Sequence, residues 1–394
     1  MNTREVALGF LADCRDDLRI PLNAEERAAR PGKYPYWGAN SIQGYVDAFR
    51  VDGPTVLLGE DGAPFFDRTR PVAFFVDEPI WPNNHVHVLK PLAKTHGRWL
   101  MYALNAVDYS AYVKGSTRDK LNQVEMMAIR LPWIDFEDQR KIADYLDSET
   151  VEIDTILGTL KTLDEVLLDR AKVAQTRTVF GLAIGQRHSA ADAHSPLSGI
   201  PDHWGRTKFG YDFTESTERN GDDPPGPLLS ISEYRGVELN TRTEGQQASL
   251  DVSKYRVVRP GQLAANMMWL NHGGLGVSSL TGYISPDYKA FWISDRFEPR
   301  YVHHLFRSSR YIDYFAAIAT GVRPNAQRVT KTVLDATPVP LPPLDEQIRI
   351  ADELDEATTR VDAMLAKVAD LKSLLLERRA ALITDVVSGK KAVA

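Results

Sequence analysis

The sequence predicts an α+β protein in which two mixed, strand-rich globular regions alternate with two long helices whose apolar stripes form a coiled coil. Three observations carry that expectation. The phrase EDQRKIADYLD (Glu137–Asp147) returns 208 residues later as DEQIRIADELD (Asp345–Asp355). Downstream of each copy, apolar residues recur at alternating spacings of four and three, the period of a coiled-coil seam. The stretches ahead of the two copies are unlike each other and read as short strands punctuated by Gly, Pro and Asn.

The first globular region spans residues 1–130. PTVLLGEDG (Pro54–Gly62) reads as an apolar strand running into a Gly turn, RPVAFFVDE (Arg70–Glu78) as a second strand, and GRWLMYALNAV (Gly97–Val107) as a helix. Residues 131–185 form the first helical repeat, and 186–199, QRHSAADAHSPLSG, a polar linker. The second globular region covers 200–337 and opens on IPDHW. In it YRVVRPGQLAAN (Tyr255–Asn266) and LGVSSLTGYISP (Leu275–Pro286) read as strands and turns, and Arg300–Ile318 as one helix. Residues 338–394 hold the second repeat.

Each repeat carries helix punctuation at both ends. Pro132, and Pro342 with Pro343, precede the helix, where a missing N–H costs little. Asp135 and Asp345 suit the N-cap, and Gly181 and Gly389 suit a left-handed stop. Between them runs the stripe Ile142, Leu146, Glu149, Ile153, Ile156, Leu160, Leu163 and Leu167, with one polar break at Glu149. Its counterpart is Ile350, Leu354, Ala357, Val361, Met364, Val368, Leu371 and Leu375. A helix of about 40–45 residues rises about 60–65 Å, and neither can bury its stripe alone. A hairpin within the chain and a zipper between two chains both satisfy that requirement.

At 394 residues, 43% hydrophobic and 25% charged, the chain is expected to be globular and to hold more than one core. It has no apolar run of membrane-spanning length, and MNTREVALGF has neither the basic start nor the apolar core of a signal peptide. The single cysteine, Cys14, forms no internal disulfide, which fits a reducing cytoplasm. The net charge of −6 sits in the repeats: residues 131–185 carry −5 and 338–394 carry −2, against 0 for 1–130 and +1 for 186–337. Of the 17 basic residues in 186–337, 13 are Arg, the side chain suited to forked contacts with phosphates and bases. The overall acidity therefore does not exclude a nucleic-acid partner.

Catalytic patterns are missing. There is no GxxxxGK[ST] loop, no GxGxxG after a strand, no HExxH, no N-P-P-Y/F and no Ser or Cys nucleophile signature. His85, His87, His303 and His304 lack the carboxylate or cysteine spacing of a metal site and read as structural. What stands out are polar, aromatic-rich stretches whose Asn, Gln and Arg could pair with base edges. In the first region these supply Lys33, Tyr36, Trp37, Asn40, Asn83, Asn84, Ser116, Thr117, Arg118, Lys120, Asn122 and Gln123 as candidate DNA-binding residues. In the second they supply Asn266, Trp269, Asn271, His272, Arg323, Asn325, Gln327 and Arg328. Ordinary Asn- and Gly-capped turns have the same look. Gly115–Gln123 and Gly321–Arg328 gain weight because both lie shortly before a repeated helix.

The repeat form LPPL-x-EQ-x-x-I-A-x-x-L (Leu341–Leu354) resembles that of the specificity subunits of type I restriction–modification systems. RIPLNAEER, KYPYWGANSIQGYVD and LLGEDGA in the first half, and IPDHW and GYISPDY in the second, are similar to phrases of that family. The first repeat departs from it at WIDFEDQ, which has two extra residues and Asp before Gln139. The resemblance implies a non-catalytic reader of double-stranded DNA. Two target-recognition domains would each read half of a bipartite site, spaced by helices paired antiparallel. The chain would hold no cofactor. Two modification (methyltransferase) subunits would bring S-adenosylmethionine, ATP-dependent restriction subunits would bring ATP and Mg, and no membrane is involved. The competing expectation is a nuclease or methyltransferase chain with a coiled-coil dimerisation arm. A third is a coiled-coil adaptor without DNA specificity.

Overall fold

A computed structural model describes residues 4–113, 119–182, 195–233, 235–241, 251–321 and 328–393. The chain divides into two compact units, Met1–Thr162 with Lys367–Ala394, and Leu163–Ala366. Each unit combines one globular region with part of both long helices, and no helix is long and apolar enough to cross a membrane among the described residues.

In the first unit, Glu5–Ala7 pairs antiparallel with Arg130–Pro132 and so closes the two ends of the globular region. A four-stranded antiparallel sheet runs in the order Ala12–Cys14, Val86–Pro91, Thr55–Gly59, Ala73–Val76. Thr55–Gly59 is buried along its whole length. Successive side chains point to opposite faces, and both faces are covered. Val56 and Leu58 face a core with Trp99 and Leu100 of the helix Gly97–Asn105, and Leu57 faces Val51, Val76 and Val88. That is why this strand reads as a continuous apolar run. A three-stranded sheet, Ile42–Val46, Pro31–Trp37, Trp81–Pro82, adds a smaller core around Tyr36, Val46 and Trp81.

The second unit repeats the plan. Gly205–Lys208 pairs antiparallel with Pro338–Leu341. Its four-stranded sheet has the order Phe213–Glu215, Lys289–Ile293, Leu263–Ala265, Leu275–Val277, the same connectivity as the first. Two further strand pairs, Leu229–Ser232 with Gly236–Leu239 and Arg256–Val258 with Gly282–Ile284, flank it. The single helix expected over Arg300–Ile318 is two, Pro299–Phe306 and Ser309–Ile318. Ser308 breaks it: its backbone is extended and its buried hydroxyl donates to the Leu305 carbonyl. Local hydroxyl bonding of this kind competes with helix continuation.

The long helices are Phe136–Val179 and Leu344–Val387, each of 44 residues. They start and stop 208 residues apart, so the two extra residues of the first copy lie ahead of the helix, in the turn after Pro132. Asp345 is not an N-cap as expected. It lies in the first turn, because the helix starts directly after Pro343, whose carbonyl accepts the Gln347 N–H. Gly181 and Gly389 both take positive φ, 60° and 76°, as stops should.

Within the first unit, Ala143 and Leu146 share a core with Ile383 and Val386, while Ile153 and Leu160 pack with Val368 and Leu375. Within the second, Val179 and Phe180 share a core with Ile350, Ala351 and Leu354. In each unit the early part of one helix meets the late part of the other, so the pairing is antiparallel. The buried seam is narrower than the predicted stripe. Ile156, Leu163, Met364 and Leu371 stay 39–50% exposed. A single neighbouring helix covers one residue per heptad here, and the flank of the stripe stays open.

Candidate nucleic-acid interface

Each globular region is seated on its long helix by an equivalent set of side chains, alike except at one position. In the first unit Gln139 is fully buried. Its Oε1 accepts the His96 N–H at 2.7 Å, and its Nε2 donates to the carbonyls of Ile134 and Lys94 at 2.9 and 3.2 Å. In the second unit Gln347, also fully buried, accepts the Glu298 N–H at 2.9 Å and donates to Pro342 and Arg296 at 2.9 and 3.0 Å. His96 and Glu298 are the N-cap residues of equivalent helices, so each Gln satisfies a backbone donor at a helix start.

One to two turns further along, the repeated carboxylates take an arginine. Arg98 donates to Asp144 at 2.7 Å and to Asp147, and the Tyr102 hydroxyl donates to Asp147 at 2.8 Å. In the second unit Arg300 donates to Asp352 at 2.7 Å and Asp355 at 3.0 Å, and His304 sits 2.8 Å from Asp355. The hydrogen bond from His304 lowers the pKa of Asp355; burial opposes this, Arg300 reinforces it, and the carboxyl stays below its ordinary value of 3.8. The repeated phrase is therefore the seat of each globular region on its own helix. Sequence reading found the phrase but missed the partners Arg98, Tyr102, Arg300 and His304, which carry no motif of their own.

Of the candidate DNA-binding residues in the first unit, several converge. The Lys33–Tyr45 and Trp81–Leu89 stretches and residues 119–123 meet around the turn at Glu60 and Asp61. Asn40 Nδ2 donates to the Gly62 carbonyl at 2.8 Å, the Glu60 N–H to His85 at 2.9 Å, and the Leu121 N–H to Glu60 at 2.8 Å. Lys120 is exposed, with its ammonium 2.9 Å from the Glu60 carboxylate, which also binds Arg19. Burial raises the Glu60 pKa, but these two cations outweigh it and keep the group ionised below its ordinary range. Lys33, Asn84 and Gln123 are exposed, and Asn122 is exposed while its side chain caps the helix Gln123–Met127.

Three candidates are placed where they do not reach solvent freely. Tyr36 is 1% exposed, with its hydroxyl on the backbone of Leu22, and belongs to a core. Asn83 is buried and its Oδ1 accepts the His85 N–H at 2.6 Å. Trp37 is half-buried against Phe74, ring centroids 5.3 Å apart. An aromatic or amide side chain among turns gives no sign of its burial, which the packing of segments distant in sequence decides. Ser116, Thr117 and Arg118 lie outside the described residues.

In the second unit the Asn266–Gly274 stretch and the segment beginning at Arg328 come together through a 3.0 Å hydrogen bond from the Val329 N–H to the Met267 carbonyl. Asn266 is half-buried, and its side chain accepts the Met268 N–H at 3.1 Å. Trp269 and His272 are exposed, their rings tilted by 32° with centroids 4.4 Å apart, Asn271 is half-buried, and Arg328 is exposed. Arg323, Asn325 and Gln327 lie outside the described residues. Lys120 and Arg328 occupy the same place in the two plans. Each is paired by an isolated bridge and lies two residues ahead of the side chain, Asn122 or Thr330, that caps a short helix.

The histidines have structural partners. His87 is buried, its Nδ1 2.7 Å from Asp16 and its Nε2 2.8 Å from the Leu121 carbonyl. Cys14, Asp16 and His87 form a trio of metal-ligand type, yet Asp16 is also held by the Val88 N–H at 3.0 Å and by Arg19 at 3.1 Å. Burial pushes the Cys14 thiol up to about 11, which keeps it protonated. His303 accepts the Val277 N–H at 3.2 Å, and burial pushes its pKa down to about 3.

Residues 17–163 match the family described as the type I restriction modification DNA specificity domain. A Haemophilus influenzae protein named as a putative type I restriction enzyme specificity subunit is 31% identical over 143 residues, 36% of each chain. The StySPI specificity subunit of Salmonella potsdam is 30% identical over 91 residues, 23% of this chain and 19% of that protein. The matched segments thus span 36% and 19% of the length of these relatives. A chain solved in work on complex assembly and conformational transition of the type I restriction–modification system has a TM-score of 0.60 at 14% identity, covering 98% of both chains. The fold is shared with that chain, and the family match lies in the first half.

Proposed function

We propose that the chain is the non-catalytic DNA specificity subunit of a type I restriction–modification complex. Each globular region reads one half of a bipartite site on double-stranded DNA, and the antiparallel helices space the two readers. The observation that carries this reading is the doubled seat: Gln139 with Asp144 and Asp147, and Gln347 with Asp352 and Asp355, hold two globular regions of the same topology. A fold that seats the same plan twice on one frame, while changing the turns each copy displays, suits two readers of different short sequences. Lys120 and Arg328 stand at equivalent places beside those turns and suit phosphate contacts.

The open flank of the helices supports a docking role. Ile156, Leu371 and Leu374 in the first unit, and Leu163 and Met364 in the second, are large apolar side chains left exposed. Two methyltransferase subunits carrying S-adenosylmethionine would cover them, and restriction subunits driven by ATP and Mg would join that core in the cytoplasm.

The test is a module exchange. Residues 200–337 are replaced by the corresponding segment of a specificity subunit with a different target, and methylated adenines are mapped in cells carrying the hybrid. One half of the methylated motif should change and the other should persist. Change in both halves, or in neither, removes the two-reader function.

A further inference from the structure

In both units the central strand of the four-stranded sheet leaves for its edge neighbour through a turn, residues 60–72 in the first and 266–274 in the second. The two turns differ in sequence and length, yet each holds one aromatic side chain out in solvent: Phe66, 58% exposed, and Trp269, 42% exposed. Neither is on a loose loop. In the second unit the Asn266 N–H donates to Gly274 and the Gly274 N–H to Trp269, both at 2.8 Å. Gly273 has φ 73°, and a Cβ at Gly274 would stand 2.7 Å from the Trp269 carbonyl, so only glycine permits this closure. Beneath it Arg307 donates to the carbonyls of Gly273 and Leu275 at 3.2 and 2.9 Å, and Met267 and Leu270 root the turn in the core.

The first unit has an equivalent root. Phe65 is buried against Tyr109 with ring centroids 5.1 Å apart, while Phe66 faces outward. The Asp67 carboxylate accepts from the Thr69 N–H at 3.0 Å and from its hydroxyl at 2.6 Å, which fixes the bend. Each turn is also tied by one backbone hydrogen bond to the segment bearing the matched cation, Glu60 to Leu121 after Lys120, and Met267 to Val329 after Arg328. A rigidly held aromatic in water forgoes the free energy of burial unless a partner covers it. A cation on the adjoining segment suits a partner with an anionic backbone. In the major groove of duplex DNA, the thymine methyl offers an apolar contact beside the polar base edges.

We propose that Phe66 and Trp269, the latter with the neighbouring His272, are specificity-determining residues that touch bases, one in each half-site. The inference rests on the DNA-reading function above. Phe66→Ala, Trp269→Ala and, as a control, Trp292→Ala are made in the chain assembled with its methyltransferase subunits. Trp292 is as exposed, at 47%, but lies in the strand Lys289–Ile293 and not in the turn. Assembly is checked by size-exclusion chromatography and folding by thermal melting. Binding is then measured on the cognate duplex, and on duplexes with one or the other half-site scrambled, across a salt series.

Trp269→Ala is expected to weaken cognate binding about tenfold or more. It should erase the cost of scrambling one half-site, leave the cost of scrambling the other, and leave the salt slope unchanged. Phe66→Ala should do the same for the opposite half-site, and Trp292→Ala should behave as wild type. Wild-type discrimination by both turn variants would overturn the inference while leaving the function intact. So would a loss of assembly with no loss of DNA specificity, which would make the aromatics protein contacts. A wild-type complex that bound cognate and scrambled duplexes alike would sink the DNA-reading function itself, and this inference with it.

Discussion

Gln139 and Gln347 each satisfy three backbone groups from inside a fully buried site. An exposed Gln contributes little of that kind, because water supplies the same partners. A buried one, removed, strands its partners without solvent, at about 1–3 kcal/mol for each group left unsatisfied. Gln347→Ala is therefore expected to destabilise the second unit by about 3 kcal/mol, seen as a lower midpoint in thermal or urea unfolding. Arg349→Ala, two residues along the same helix and exposed, should change the midpoint by less than about 0.5 kcal/mol. Equal effects from the two substitutions would show that the seat does not hold the unit together.

At the scale of the element, the two long helices are alike in length and register but stop in different surroundings. Gly181 needs its positive φ, and a Cβ there would lie 2.9 Å from both Pro201 and Trp204. Gly389 has the same handedness, but a Cβ would meet nothing within 4 Å. A left-handed backbone costs a non-Gly residue about 1 kcal/mol, and crowding against rigid rings adds to it. Gly389→Ala should therefore cost about 1 kcal/mol and Gly181→Ala about 2 kcal/mol or more, measured as shifts in unfolding midpoint. If the two costs were equal, the IPDHW segment would not be packed on the helix stop. The comparison also separates what spacing can reveal from what it cannot: both glycines read alike as stops, and only the packing of Trp204 distinguishes them.

At the scale of the whole molecule, two globular regions of one topology and two helices of one length make a chain whose halves are equivalent in plan and different in surface. The function proposed for such a chain predicts an absence that can be measured. Purified alone, it should transfer no methyl group from S-adenosylmethionine to duplex DNA and should cut none in the presence of Mg and ATP. Adenine methylation should follow only when methyltransferase subunits are added. Methylation or cleavage by the chain alone would favour a catalytic polypeptide with a dimerisation arm.

The repeat, the length of the long helices, their stops and the apolar strand Thr55–Gly59 were determined by sequence alone, because each rests on local periodicity or on a residue such as glycine with its own backbone preference. What only the tertiary structure decided depends on residues far apart in the chain. The carbonyls that make Gln139 a latch come partly from Lys94, and the arginine that meets Asp352 and Asp355 is Arg300, more than fifty positions away. Tyr36 and Trp269 look alike as aromatics among glycines, yet one is sealed in a core by Val46, Trp81 and the Ile20–Leu22 segment and the other is held in solvent by a closed turn. Spacing along a chain encodes the faces of its helices and strands. It does not encode which face another element will cover, because that is settled by burial of both partners at once.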